Sequence, residues 1–115
     1  MSFYYRVNFE IANNEDLSQA FSIADSSGAP IDLRGAILAM DVKDPAGSNV
    51  IQTSTANGRV ILSDAINGMF SIMVPASVIR ALKPGTYVHD LLLERAGSIT
   101  RVWSGTLSLT EGVTQ

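Results

Sequence analysis

From Phe3 onward the odd positions Phe3, Tyr5, Val7, Phe9 and Ile11 are apolar or aromatic. Between them Arg6, Asn8 and Glu10 are polar, with Tyr4 the exception. This period of two predicts a strand with one buried face, because successive side chains of extended backbone point to opposite sides. The turn formers of "ANNED" break the alternation. It resumes over residues 17–24, with Leu17, Phe21 and Ile23 on one face and Ser18 and Ser22 on the other. "DSSGAP" then turns the chain. "AILAMDVKD" sets Leu38, Met40 and Val42 against Asp41 and Lys43, and "PAGS" turns the chain again. Two Asn-Gly pairs follow, Asn57-Gly58 and Asn67-Gly68. Such pairs tolerate the positive φ angles that two-residue hairpins require. They predict a three-stranded meander of "NVIQTSTA", "RVILSDAI" and "MFSIMV", the last burying Phe70, Ile72 and Val74.

One segment has a different period. In "PASVIRALK", Val78, Ile79 and Leu82 are spaced as on one side of a helix. Pro75 can open that helix, and Pro84-Gly85 ends it. A stretch this short is not stable alone, so one or two turns over residues 76–82, packed on a sheet edge, are expected. The closing strands are "TYVHDLLLER" and "ITRVWSGTLSLT", joined at "AGS". Frequent turn signals with alternating strands between them predict an all-β fold. The expected architecture is an immunoglobulin-like antiparallel β-sandwich of about seven to nine strands. No linker or repeat divides it, so residues 1–115 are read as a single domain.

"LKPGTYV" has the form of a tyrosine corner, in which a tyrosine hydroxyl bonds back to upstream backbone. Gly85 would allow the turn and Tyr87 would be the corner residue. Alternation then sends Tyr87, His89, Leu91 and Leu93 inward and Val88, Asp90, Leu92 and Glu94 outward. His89 is the one histidine of the chain, and Asp90 beside it points the other way, which defeats a base–orienter pair. With no second histidine and no cysteine, the usual metal and nucleophile sites cannot be assembled. His89 is therefore expected to be structural. No catalytic residue, metal or cofactor is assigned, and the chain is not expected to be an enzyme.

Other candidates are weaker. "DSSG" lacks the spacing of a calcium loop, and "PAGSN" and "AGSIT" lack a phosphate-loop lysine. Asp41 and Asp44 fit a solvated face and a turn cap. Trp103 either plugs the core or stacks on a sugar. In the second case Trp103, Tyr4 and Tyr5 would form the platform of a carbohydrate-binding module, the alternative to a docking protein.

Composition narrows the partners. The net charge is −3, and the eight Lys and Arg are scattered from Arg6 to Arg101 without a basic stripe, which argues against nucleic acid. "MSFYYRVNFE" is no signal peptide. No apolar run reaches the roughly 20 residues of a membrane helix. A soluble protein that starts close to its mature end is expected. Only 17% of residues are charged, against an average of about 25%, which leaves apolar surface for a partner. The expected docking surface is the outer face of one sheet: Val88, Leu92, Ile37 on the neighbouring strand, and Val102 on the closing strand. A bulge at Gly105 would exchange Val102 with Trp103. Such a patch predicts a partner, its own copies included, and hence a homo-oligomer.

The order of features adds a resemblance. Gly28, Pro30, Ile31, Asp32, Leu33 and Gly35 form one turn motif. Gly68 leads a strand that ends in the helical turn, and Leu82, Gly85, Tyr87, Asp90 and Leu91 follow. Arg101, Gly105 and Leu109 then precede a terminal Gly112, Val113 and Thr114. From about Phe21 onward the chain resembles small proteins encoded in phage and prophage structural gene clusters. Where such relatives carry tyrosine before the aspartate, this chain has His89. The resemblance implies an immunoglobulin-like sandwich in a virion part such as tail, baseplate or head decoration. It also implies assembly in a bacterial host cytoplasm, docking to other virion proteins or to its own copies, and no catalytic residues.

Overall fold

The structure is a computed structural model that describes residues 5–112. Alternation produces nine strands among the described residues: β1 (Tyr5–Arg6), β2 (Phe9–Ala12), β3 (Leu17–Ser22), β4 (Ile37–Lys43), β5 (Asn49–Ser54), β6 (Val60–Asp64), β7 (Met69–Val74), β8 (Gly85–Arg95) and β9 (Ser98–Thr110). They form an all-β sandwich. The larger sheet runs β9-β8-β4-β5, with β1 and β2 both on the far side of β9, and the smaller runs β3-β7-β6. Between the sheets lie the apolar halves of the alternating strands, including Leu38, Met40, Val42, Leu91 and Leu107 from one sheet and Phe70, Ile72 and Val74 from the other. Trp103 fills the centre, its ring 4.6 Å from Phe21, 5.9 Å from Phe70 and 6.5 Å from Phe9. The expected helical turn is α1 (Ala76–Ile79), which buries Ile79. Asp16, just before β3, anchors it by accepting the Ala76 N–H at 2.6 Å.

Three expectations need correction. The first strand is divided at Val7 and Asn8, and both pieces run parallel to β9, so the sandwich is not wholly antiparallel. Gly105 is the physical reason. A Cβ there would lie 1.7 Å from the Val7 carbonyl oxygen. Without one, the backbone crosses tightly, and the Asn8 side chain accepts from Thr106 N–H at 3.1 Å. Phe3 and Tyr4 of the expected strand, and Val113 and Thr114 of the resemblance, lie outside the described residues.

The second correction concerns the meander. β5 pairs with β4, whereas β6 pairs with β7, so the chain changes sheets between them. Asn57 closes that crossing rather than a hairpin. Its side-chain oxygen accepts from Ser54 N–H (3.0 Å) and Arg59 N–H (3.1 Å), and its amide donates to the Gln52 carbonyl (2.8 Å). Third, Asn67-Gly68 does join β6 to β7, but through a 3-10 turn (Ala65–Asn67) closed by Gly68 N–H on the Ala65 carbonyl.

Candidate functional site

Residues 80–87 carry the chain from α1 into β8. Gly85 has φ 152°, a conformation side chains disfavour. Two residues on, the buried Tyr87 hydroxyl donates to the Lys83 carbonyl at 2.6 Å. The corner is thereby closed four residues upstream, and it fixes which face of β8 points inward.

From that point β8 alternates. Tyr87, His89, Leu91 and Leu93 are buried, Val88 and Glu94 are exposed, and Asp90 and Leu92 are half-buried. The His89 Nε2 lies 3.2 Å from the Thr106 carbonyl, and its ring centre is 5.0 Å from that of Phe9. Burial pushes its pKa below the ordinary histidine value. The Thr106 and Val7 carbonyls and the Asp90 carboxylate pull weakly the other way. The result is a neutral imidazole in an aromatic wall. Among the described residues no three His, Cys, Asp or Glu side chains converge to hold a metal ion.

The outer face of the larger sheet is set by register. β4 and β8 place Ile37 beside Glu94, Ala39 beside Leu92, Asp41 beside Asp90 and Lys43 beside Val88. β8 and β9 add Arg101 beside Leu92, Ser104 beside Asp90 and Ile99 beside Glu94. Ile37 is 47% exposed and Val88 52%. They do not share one patch. Ile37, Ala39, Leu92 and Ile99 gather at one end, and Val88 stands apart beyond the Asp41–Asp90 row. Those two carboxylates face each other directly, a placement that like charges make unfavourable. Arg101 Nε lies 3.8 Å from the Asp90 carboxylate. Asp41, Lys43, Val88, Asp90, Arg101 and Ser104 line a shallow hollow of about 230 Å³, and His89 of the same strand as Val88 and Asp90 borders it.

Val102 does not belong to this face. It is 0% exposed, and Trp103 next to it is 1% exposed. Leu91 pairs with Trp103 while the following Leu92 pairs with Arg101, so Val102 is the extra residue of a bulge. The bulge therefore sits at Val102, not at Gly105, and turns two consecutive side chains inward. Trp103 is thus unavailable for stacking on a sugar. Tyr5 remains 39% exposed, with its hydroxyl bonded to the Ala24 carbonyl at 2.8 Å, and Tyr4 lies outside the described residues.

The smaller sheet holds surface that the sequence reading passed over. Ile61 and Met69 are exposed on its outer face, with Ile66 exposed in the loop between their strands. Alternation in "MFSIMV", carried one step further, points Met69, Ser71 and Met73 outward.

Thirty-nine chains of solved structure match this fold. The N-terminal domain of phage TP901-1 ORF48 matches with a TM-score of 0.56 at 12% identity, over 96% of this chain and 98% of that one. The endo-beta-1,4-mannanase from Thermotoga petrophila matches with a TM-score of 0.54 at 11% identity. That match covers 91% of this chain, which spans only 18% of the mannanase. CopC from Methylosinus trichosporium OB3b matches at 0.47 and 14% identity, over 92% and 88% of the two chains, a likeness too low to carry an argument. At these identities the likeness shows the fold alone. No protein-family model matches the chain. No curated protein matches it in sequence.

Proposed function

We propose that this chain is a non-enzymatic structural protein of a phage or prophage virion. It has an immunoglobulin-like sandwich and works by docking to other virion proteins. The observation that carries the reading is the correspondence with the phage TP901-1 ORF48 N-terminal domain, which spans nearly the whole of both chains. The corner, the helical turn and the closing strands of the resemblance support it. So does the orientation of the chain's one histidine, whose buried ring packs on Phe9 and against the Thr106 carbonyl. The docking surface in this reading is the apolar end of the larger sheet, Ile37, Ala39, Leu92 and Ile99, bordered by the charged hollow. The protein assembles into particles in the cytoplasm of its bacterial host.

Immunodetection on purified particles, induced from a host that carries the gene, tests this. The chain should co-purify with intact particles. The double variant Ile37→Lys/Leu92→Lys should keep its circular-dichroism spectrum and cooperative melt but fall out of the particle fraction. Particles that never contain the wild-type chain overturn the reading.

A further inference from the structure

The smaller sheet ends at β3, and among the described residues no strand pairs with its outer edge. A free edge is a row of unpaired N–H and C=O groups that templates another strand. Proteins usually blunt such edges with charge, proline, bulges or covering groups.

The other three edges of this sandwich are blunted. On β5 the Gln52 carbonyl is occupied by Asn57 Nδ2 at 2.8 Å and Arg59 Nη1 at 3.1 Å, and Ser54 N–H is taken by Asn57. On β2 the Ala12 N–H donates to the Glu15 carboxylate at 2.7 Å, and the exposed Glu10 adds charge. β6 is interrupted by a bulge between Ile61 and Asp64 and ends on that aspartate. β3 carries no such device within its own span, although Tyr5 flanks its far end by donating to the Ala24 carbonyl at 2.8 Å. "LSQAFS" carries no charge and no proline, and its register with β7 is unbroken from Leu17↔Val74 to Ser22↔Met69.

The direction of the free groups follows from one bond. Ile23 N–H donates to the Gly68 carbonyl at 3.0 Å, one step beyond the Ser22↔Met69 pair. Antiparallel alternation then commits Phe21 and Gln19 to β7 and turns the N–H and C=O groups of Ser18, Ala20 and Ser22 out along the edge. All three side chains are exposed. Gln19 is exposed as well, although its register partner Ile72 is fully buried, because the sheet stops there.

We propose that two copies of this chain pair through β3, antiparallel about a two-fold axis at Ala20. The pairing joins two three-stranded sheets into one of six strands. The edge itself names the occupant. Unpaired extended backbone is complemented by extended backbone, and a second copy presents the same row with the same spacing. About Ala20, the Ser18 of each copy meets Ser22 of the other and the two Ala20 residues meet. Every outward N–H then finds an outward C=O, and no ionisable residue of β3 faces its like. A contact built on six residues of edge strand is small for a stable complex, so the pairing is weak in dilute solution and gains from many copies held together. It deepens the docking reading and rests on it, but uses a different surface, so loss of particle incorporation and loss of pairing can be told apart.

The chain has no cysteine, so Ala20→Cys places a single thiol on the proposed axis. Directly opposite Cα atoms in such a ladder are about 5.5 Å apart, within disulfide reach. Under mild oxidation this variant should form disulfide dimers about tenfold or more faster than Ala46→Cys, which puts the thiol on an exposed turn, because pairing raises the local thiol concentration. Sedimentation of the wild type should show mass rising with concentration, and Ala20→Lys or Ser18→Lys should abolish that rise with an unchanged circular-dichroism spectrum. Equal oxidation rates for the two cysteine variants overturn the proposal. So does a wild type that stays monomeric up to millimolar concentration, even where the chain is found in particles.

Discussion

The Tyr87 hydroxyl ties the start of β8 to the turn before it through one bond to Lys83. Tyr87→Phe keeps the ring in the core but leaves that carbonyl without its partner. Stability should fall by about 1–3 kcal/mol, read as a lower denaturant midpoint with an unchanged slope; equal midpoints would contradict the role. His89 answers to pH. Its folded pKa lies below the unfolded value of 6.5, so the unfolded chain binds the proton more readily. The stability is fully present above pH 6.5 and is lost as pH falls through 6.5 toward the folded value. His89→Phe should flatten the stability profile between about pH 7.5 and about 5.5. An identical slope in the wild type and the variant would show that the loss comes from elsewhere. Asp32 titrates apart from this window, because Arg34 holds its carboxyl at about 2. At this scale the sequence was legible where one strand alternates without interruption, as from Tyr87 to Glu94. It was not legible at Val102, whose burial depends on how β9 pairs with β8.

At the scale of elements, strands and the helical turn could be read from period and punctuation, while their partners could not. Asn57-Gly58 is a hairpin signal by local chemistry. The crossing it makes is decided by which sheet can bury Ile51 and which can bury Val60, a choice no local window contains. The parallel placement of β1 and β2 likewise rests on Gly105, a hundred residues along the chain from them. Gly105→Ala tests that placement. Its methyl group would collide with the Val7 carbonyl, and overpacking of this kind costs about 1–3 kcal/mol. The melting temperature should drop. Hydrogen exchange should accelerate first at Val7, whose N–H bonds the Ser104 carbonyl at 3.0 Å. Uniform acceleration across all strands would mean that the first strand is not a separable unit.

Across the whole molecule, composition predicted apolar surface, and the structure distributes it over both outer faces rather than in one patch. The two faces differ in kind. The larger sheet mixes Ile37 and Leu92 with Asp41, Asp90 and Arg101. The smaller presents serine, alanine, methionine and isoleucine. The sandwich measures 43 × 27 × 24 Å. Because β1 and β2 run parallel to β9, Tyr5 and Thr110 stand toward opposite ends of one ladder, with six registered residue pairs between the strands. Tension applied at those two points drags the first and last strands past each other lengthwise. The ladder bonds then share the load and must yield together, whereas a hairpin pulled at its open end gives way one bond at a time. Resistance to pulling is governed by the unfolding rate rather than by equilibrium stability. A domain only modestly stable in solution can therefore be stiff when it serves as a link in a strained assembly.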